Sequence, residues 1–240
     1  MTVAPVTSWR GPVLVTGTDT GVGKTIVTAA LSAVASAAQL RVAVLKPAQT
    51  GEDDDAAEVA RLAAPATVKT LARYPDPLAP LAAARTAGTP PLAAGTATLA
   101  VRELAADHDL VLIEGAGGLL VPMGVHPASG HPWTVADLAV AVGAPAVVVV
   151  RAGLGTLNHT ALTIEALQRR GVPCRLVIGG WPREPQPVHR ENLTDLARIA
   201  PLDGRIPEAA GALPPPEFRA SAPSWFEGLD TCLRNESPNS

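Results

Sequence analysis

A glycine-rich segment near the N-terminus lies between an apolar run and a helical pattern, and it constrains the fold more than any other feature. Residues 13–16 read Val-Leu-Val-Thr, and residues 17–25 read Gly-Thr-Asp-Thr-Gly-Val-Gly-Lys-Thr. A strand that passes through such a turn into a helix aims several backbone N–H groups at one point, at the positive end of the helix dipole. The segment therefore predicts a phosphate-binding loop, in which Lys24 reaches the β- and γ-phosphates and Thr25 ligates Mg²⁺.

The spacing of the glycines departs from the strict phosphate-loop pattern. That pattern places four residues between its first glycine and the Gly-Lys-Thr triplet. Here Thr18 occupies the first position, and Gly17 lies one residue too early. The well-patterned helix predicted at residues 26–38 favours a phosphate loop over a chance glycine-rich turn, because a strand, a turn and a helix then follow in the required order.

The composition allows one large domain and excludes two classes of protein. Of the 240 residues, 47% are hydrophobic and 17% are charged, which is enough apolar material for a sizeable core. The net charge of −3, without a basic stripe, argues against a nucleic-acid-binding protein. No apolar run approaches the roughly 18 to 20 residues of a membrane span.

The ends of the chain and its cysteines indicate a cytoplasmic protein. No secretion signal precedes the first strand, and we predict a flexible leader at residues 1–11, a single domain at 12–234 and a disordered tail at 235–240. Cys174 and Cys232 are too far apart in sequence for a metal site or a redox pair, which suits a reducing compartment. Cys174 lies in an apolar run and is predicted to be buried.

Short apolar runs alternate with longer helical patterns along the chain. The predicted strands are residues 13–16, 42–46, 110–114, 146–151 and 174–179, and the predicted helices are residues 25–38, 54–62, 92–106, 135–142, 157–170 and 190–199. The alternation predicts an α/β fold with a mostly parallel sheet and helices on both faces. Proline-rich residues 74–80, 182–187 and 213–216 are predicted to be surface loops, and residues 126–132 a loop insertion.

Polar residues stand where the predicted strands end. Lys46, Glu114 and Arg151 close three strands, and Gly179-Gly180 follows a fourth. Right-handed crossovers bring the carboxyl ends of parallel strands to one edge of the sheet, so these residues are predicted to converge on the phosphate loop. We expect Pro47 to stop the second strand and to aim Lys46 at that edge.

Acidic residues at two places are candidate ligands of Mg²⁺. Residues 52–55 read Glu-Asp-Asp-Asp before a predicted helix, where one or two acids serve as caps and another is free to ligate a metal. Glu114 ends a buried strand and precedes the glycine turn 115–118, as does the Mg²⁺-holding carboxylate of phosphate-loop enzymes. Residues 154–159 open another helix; Thr156 or Asn158 could cap it, or its free N–H groups could cradle a carboxylate. No nucleophile and base are arranged for covalent catalysis.

Four motifs taken together resemble those of the dethiobiotin synthetases. They are residues 17–25, Lys46-Pro-Ala-Gln-Thr50-Gly51, Glu114-Gly-Ala-Gly-Gly118 and Leu154-Gly-Thr-Leu-Asn-His159. They occur in the family's order, and the match runs from about residue 13 to residue 208. The combination is far more specific than any one of the motifs.

The resemblance implies an ATP-dependent ring closure. In this family, one amine of 7,8-diaminononanoate captures CO₂ as a carbamate, whose oxygen attacks the γ-phosphate of ATP. The second amine then closes a cyclic urea and expels phosphate. Such chemistry needs positioning and charge neutralisation more than a protein nucleophile. The family's fold is a single-domain P-loop NTPase fold, and its members form homodimers.

The resemblance also implies roles for individual residues. Lys24 and Lys46 would be catalytic, and Mg²⁺ would be held by Thr25, Asp55 and Glu114. The nucleotide would contact these acids and Gly21, Val22, Gly23, Lys24, Thr25, Ile26, Gly115, Ala116, Gly117, Gly179, Gly180, Pro207, Glu208 and Ala209. The diamine would contact Thr20, Thr50 and Gly117, and its distal carboxylate would bind to Gly155, Thr156, Leu157 and Asn158 of the neighbouring subunit. Asp53 and Asp54 stay open as alternatives to Asp55 for the Mg²⁺ ligand, because the three acids are adjacent.

Two departures from the family pattern bear on what the site selects. Many members carry an acid where Gly21 stands, and many carry an Asn after the fifth strand whose amide recognises adenine. Here that segment reads Ile178-Gly179-Gly180-Trp181, without a side-chain amide. Only backbone groups there and at residues 207–209 remain to recognise the base, so we hypothesise loose base selection, with CTP competing with ATP.

A ParA- or MinD-like ATPase switch is the main alternative. Such switches share the fold and carry a second lysine five positions before the phosphate-loop lysine. Here that position is Asp19, which counts against a switch. A cobyrinate-type amidoligase would carry a glutaminase domain, for which this chain is too short. A third alternative is a nucleotide-binding regulator without catalysis, but in such a protein Lys46 would have no evident function.

Overall fold

The five apolar runs predicted as strands lie side by side in one parallel sheet. The computed structural model describes residues 9–227, and within them ten strands occur: β1 (Gly11–Gly17), β2 (Val42–Thr50), β3 (Thr67–Tyr74), β4 (Leu92–Ala93), β5 (Leu110–Glu114), β6 (Gly124–Val125), β7 (Pro132–Trp133), β8 (Ala146–Val150), β9 (Cys174–Trp181) and β10 (Leu202–Pro207). Seven of them form a sheet in the order β10-β9-β8-β1-β5-β2-β3. Every neighbouring pair in this sheet is parallel.

Helices cover both faces of the sheet, as the alternating pattern predicts. The α-helices of the described residues are α1 (Lys24–Ala37), α2 (Asp55–Ala63), α3 (Pro80–Thr86), α4 (Ala94–Asp107), α5 (Val135–Val142), α6 (Thr156–Gln168), α7 (Pro187–Ile199) and α8 (Pro215–Ser221). Helices α1, α2 and α8 pack together on one face, and the pairs α4–α5 and α6–α7 pack on the other. Each face has its own apolar core, because the central strands are buried on both sides.

The sequence analysis missed the two edge strands of the sheet. Strand β3 carries Lys69 and Arg73, and strand β10 contains Asp203 and Gly204. Each edge strand pairs with only one other strand of the sheet, and β10 has in addition an isolated bridge between Gly204 and Phe226. Such strands carry charged or polar residues that interrupt an apolar run, so the signal that identified the central strands is absent from them.

Pro47 does not end the second strand, contrary to our expectation. Strand β2 continues to Thr50, and Ala48, Gln49 and Thr50 pair with β3. Strand β5 pairs with β2 only up to Leu45. No partner on that side therefore needs the N–H group that proline lacks, and the strand tolerates Pro47.

Smaller differences concern the ends of elements. Leu92–Ala93 form a short strand before α4, and residues 215–221 form α8, which starts at a proline. Residues 9–11, which we predicted as the end of a flexible leader, belong to the packed structure: Trp9 is only 2% exposed, Arg10 pairs with Asp109, and Gly11 opens β1. Residues 1–8 and 228–240, with Cys232 and the predicted tail, lie outside the described residues.

Candidate functional site

The predicted phosphate loop leaves β1 at Gly17 and enters α1 at Lys24. Gly21 and Gly23 have φ of 69° and 96°, a left-handed conformation that favours glycine. Gly23 caps α1 without a side-chain hydrogen bond, which leaves the backbone donors of the first turn for a ligand. Gly17 is required for close packing, because a β-carbon there would lie 2.6 Å from Val22 Cγ2.

Four polar side chains meet behind this loop. Lys46 Nζ lies 2.5 Å from Asp55 Oδ2 and 2.8 Å from Glu114 Oε1, and it also donates to the carbonyl oxygen of Gly115. Thr25 Oγ1 lies 2.9 Å from Asp55 Oδ1 and 3.0 Å from Glu114 Oε1. The side chains of Lys46 and Glu114 are only 3% and 1% exposed, so their charges interact strongly. We call Thr25, Lys46, Asp55 and Glu114 the charged cluster.

The charges of the cluster stabilise one another. Burial disfavours the ammonium of Lys46, but the carboxylates of Glu114 and Asp55 outweigh burial and raise the pKa of Lys46. Burial likewise disfavours the charged form of Asp55, but Lys46 outweighs it and lowers the pKa of Asp55. At Lys24, burial and the nearby charge of Lys46 together lower the pKa to about 8. Lys24 Nζ donates to the carbonyl oxygen of Asp19 at 2.9 Å.

The three adjacent acids before α2 have different surroundings. Asp55 alone reaches Thr25 and Lys46. Asp54 caps α2 by accepting from the N–H of Ala57, and it pairs with Arg73 of β3. The backbone N–H of Asp55 donates to Gln49 Oε1 at 3.3 Å, which ties the start of α2 to β2.

The cluster has the oxygen ligands that Mg²⁺ requires. The Thr25 hydroxyl lies within hydrogen-bond distance of one carboxylate oxygen of Asp55 and of one carboxylate oxygen of Glu114. Among residues 9–227, no group of three or more His, Cys, Asp and Glu side chains could hold a metal by itself. A site with two carboxylates suits Mg²⁺, which keeps several waters and shares phosphate oxygens with the protein.

A cavity of about 590 Å³ opens in front of the cluster. Of the residues that the sequence analysis selected, it is lined by Thr20, Gly21, Gly23, Lys24, Thr25, Ile26, Lys46, Thr50, Asp53, Asp55, Ala116 and Gly117. The glycine turn after β5 closes one side, since a β-carbon at Gly117 would lie 3.6 Å from Thr20 Oγ1. The structure therefore joins the phosphate loop, the end of β2 and the turn after β5 around one space.

Other selected residues lie next to this cavity without lining it. Val22 and Glu114 are buried, and Gly115 packs on Val135. Gly179 abuts the phosphate loop so closely that a β-carbon there would lie 2.1 Å from the carbonyl oxygen of Val22. Beside it, the N–H of Glu208 donates to the carbonyl oxygen of Trp181, which places Pro207, Glu208 and Ala209 at the end of β9.

Gly155, Thr156, Leu157 and Asn158 lie at the start of α6, away from the cavity lining. Gly180 and Gly155 both have positive φ and open space around them. The chain thus brings together the phosphate, metal and diamine residues of the prediction. The residues predicted for the distal carboxylate form a separate group on the same edge of the sheet.

Several residues of the cavity were not predicted. The cavity is also lined by five apolar residues, which we call its apolar wall: Pro77, Leu78, Ala79, Pro80 and Val121. Gln49 was part of a quoted motif, but nothing in its spacing indicated that it faces the cavity. Arg151, which we expected near the phosphate loop, donates to the carbonyl oxygen of Thr20 at 2.9 Å and pairs with Asp19.

The comparisons with known proteins agree with this geometry. The family described as "AAA domain" matches residues 12–215. The chain is 53% identical over 221 residues to a protein of Rhodococcus jostii (strain RHA1) named ATP-dependent dethiobiotin synthetase, with 89% of this chain and 94% of that protein covered. A protein of the same name from Saccharopolyspora erythraea is 55% identical over 208 residues, with 84% and 89% covered.

Solved structures share the fold at low identity. The septum site-determining protein MinD of Pyrococcus horikoshii, solved with Mg-ADP, superimposes with a TM-score of 0.55 and 16% identity, covering 95% of this chain and 96% of that chain. The MinC:MinD complex of Aquifex aeolicus gives a TM-score of 0.53 at 14% identity, covering 96% and 98%. These likenesses show that the fold is that of the P-loop NTPases.

Proposed function

This chain belongs to the ATP-dependent dethiobiotin synthetase family, and we propose that the charged cluster and the phosphate loop described above are its active site. The enzyme is a ligase of biotin biosynthesis that uses ATP and Mg²⁺. It joins 7,8-diaminononanoate and CO₂ into a cyclic urea, with release of ADP and phosphate. The convergence of Thr25, Lys46, Asp55 and Glu114 on one point behind the phosphate loop carries the proposal.

The phosphate loop binds the triphosphate. The backbone N–H groups from Gly21 to Ile26 lie at the start of α1 and suit the negative charge of the phosphates. Lys24 leaves the carbonyl oxygen of Asp19 and binds the transferring phosphoryl group. Thr25, Asp55 and Glu114 would hold Mg²⁺, which would supply neutralisation of the charge on the phosphate oxygens.

Lys46 acts on the reacting oxygens. Its ammonium lies between the metal-binding carboxylates and faces the cavity that would hold the carbamate. Because its pKa is raised, it is positively charged at neutral pH. It therefore stabilises the carbamate and the negative charge that develops on the transferring phosphoryl group, an interaction that is strongest in the transition state.

The diamine lies between Thr20, Thr50 and Gly117, and its alkyl chain contacts the apolar wall of Pro77, Leu78, Ala79, Pro80 and Val121. An aliphatic chain needs such a wall, because its burial removes apolar surface from water. The distal carboxylate binds at the start of α6, where the N–H groups of Gly155, Leu157 and Asn158 make no hydrogen bond within residues 9–227.

We propose that the enzyme is a homodimer in which that carboxylate site comes from the partner subunit. The site lies outside the cavity of its own chain. Next to it, Leu154 is 91% exposed, and Leu162 of α6 is also exposed. Two apolar side chains beside a substrate site are costly in water and suit a subunit interface.

The proposed domain extends from residue 12 to residue 234, and the proposed location is the cytoplasm, where ATP is available. Within residues 9–227, none of the helices has both the length and the apolar character that a membrane span needs.

We also propose that the site selects weakly among nucleotide bases. A side chain at Gly179 has no room, because the carbonyl oxygen of Val22 occupies its place. Base recognition then depends on backbone groups near Gly180 and residues 207–209. Equilibrium binding of ATP, CTP and GTP tests this: a preference for ATP above about a hundredfold, or roughly 2.7 kcal/mol, would contradict it.

Phosphate release is the most direct test of the proposed reaction. Release from ATP and bicarbonate is measured with and without 7,8-diaminononanoate, and the cyclic urea is identified in the product. A synthetase depends strictly on the diamine. A switch ATPase of the ParA or MinD kind hydrolyses ATP without it, and that result would overturn the proposal.

A further inference from the structure

The loop between β8 and α6 is held from behind by a side chain of α7. Asn192 is 7% exposed, and its Nδ2 donates to the carbonyl oxygen of Ala152 and to that of Gly153, each at 2.9 Å. Both hydrogens of the amide are therefore used on consecutive carbonyl groups. A buried amide with two such bonds fixes the orientation of two peptide planes.

This orientation decides where the N–H groups of the loop point. In a trans peptide, the N–H of one residue points opposite to the carbonyl of the residue before it. Because the carbonyls of Ala152 and Gly153 point toward α7, the N–H groups of Gly153 and Leu154 point away from α7. Gly155 follows with φ of 89°, a left-handed conformation that keeps successive N–H groups on one side of a turn.

Several donors in this segment have no acceptor. Within residues 9–227, the backbone N–H groups of Gly153, Leu154, Gly155, Leu157 and Asn158 make no hydrogen bond. The hydroxyl of Thr156, which is buried in the same turn, also has no partner among these residues. Unsatisfied donors at the start of a 13-residue helix form a strong site for an anion.

We infer that Asn192 is a positioning residue for the distal carboxylate of the substrate. It touches no substrate atom; it holds the two carbonyls back so that the N–H groups of the loop face the carboxylate. This role rests on the proposed function, because the proposed carboxylate site is the start of α6. Without Asn192, the carbonyl of Ala152 loses its bond to α7, and the carbonyl of Gly153 keeps only the long bond of 3.4 Å from the N–H of Thr156. The two peptide planes can then turn, and carbonyl oxygens would repel the anion.

The test compares two substrates in two variants. One substrate is 7,8-diaminononanoate, and the other is 2,3-diaminooctane, the same diamine without the carboxylate. In Asn192→Ala, we expect the KM for the diaminononanoate to rise on the order of tenfold, because two hydrogen bonds that order the site are lost. We expect kcat and the KM for 2,3-diaminooctane to stay within about twofold of the wild-type values.

Leu193→Ala is the matched control. Leu193 lies next to Asn192 on α7 and packs against the core, so its loss loosens the helix without freeing the loop carbonyls. We expect this variant to leave the ratio of the two KM values unchanged. Thermal denaturation and circular dichroism of both variants verify that they are folded at the assay temperature.

Each outcome is decisive. A tenfold rise confined to the carboxylate-bearing substrate supports the role of Asn192. If wild type prefers 7,8-diaminononanoate and Asn192→Ala retains that preference, or if both KM values rise together, the role of Asn192 is refuted while the proposed function stands. If wild type itself does not distinguish the two diamines, the proposed carboxylate site fails, and the role of Asn192 fails with it.

Discussion

Replacing Lys46 by methionine removes the only positive charge of the charged cluster and keeps most of its volume. Glu114 is then left as a buried carboxylate at 1% exposure, while Asp55, whose side chain is 28% exposed, can recover water. Breaking a buried ion pair costs about 3 to 5 kcal/mol, because one charge remains uncompensated. Since Asp55 is partly hydrated, we expect the lower end, about 3 kcal/mol of unfolding free energy.

The loss is measured by denaturation without nucleotide or Mg²⁺. For a domain of this size, 1 kcal/mol shifts Tm by about 2 to 4 °C, so Lys46→Met should lower Tm by about 6 to 12 °C. The double variant Lys46→Met/Glu114→Gln has no uncompensated buried charge and should regain at least about 2 kcal/mol. Both variants should lose turnover, because neither carries the charge that acts on the phosphoryl group.

Arg169→Gln is the control for loss of a cation. Arg169 pairs with Glu165 on the exposed face of α6, and an exposed pair contributes only about 0.5 kcal/mol. A loss of unfolding free energy below about 1 kcal/mol in Lys46→Met would refute the reasoning. It would also be refuted if adding Glu114→Gln to Lys46→Met cost as much stability as Glu114→Gln costs in the wild-type protein.

Three further predictions concern the phosphate loop and the core. Lys24→Ala should lose triphosphate binding and turnover, whereas Lys46→Ala should lose most turnover and keep much of its nucleotide affinity. Titration with nucleotide distinguishes the two variants, and equal losses of affinity would contradict these roles. Gly179→Ala should weaken nucleotide binding on the order of a hundredfold, because its β-carbon displaces the phosphate loop. Gly95→Ala is the control, because Gly95 lies within α4 and an added β-carbon there would meet nothing within 4 Å. It should change affinity little, and equal affinities in the two variants would show that the close approach is unimportant. Burial raises the pKa of the Cys174 thiol from 9.0 to about 11, so the thiol of the unfolded chain ionises first as the pH rises. Between pH 8 and pH 10 the wild-type protein should therefore lose about 1.3 kcal/mol of unfolding free energy that Cys174→Ala does not lose. Identical pH profiles of stability in the two proteins would refute this prediction.

The sequence predicted the central part of the fold because the signals there are local. The strand, glycine turn and helix at residues 13–38 lie next to one another in the chain, and continuous apolar runs identify strands that are buried on both faces. The rule that parallel strands end at one edge is enough to bring Lys46 and Glu114 to the phosphate loop. These two side chains are within 2.8 Å of one another.

Other features depended on contacts between distant segments. Asp55 differs from Asp53 and Asp54 only in where α2 directs it, and that direction depends on the bond between its N–H and Gln49 of β2. Pro47 lies inside a strand because β5 has already ended beside it. Neither feature can be predicted from the local pattern of residues.

By itself, the sequence determined the phosphate loop, the central strands and the two charges that those strands carry to their ends. Only the tertiary structure decided which acid joins them, where the edge strands pair, and how Asn192 turns a loop that lies 40 residues away along the chain. The division has a physical cause. Backbone conformation and the alternation of apolar residues are set within a few neighbours, whereas a hydrogen bond between segments exists only after the core has packed.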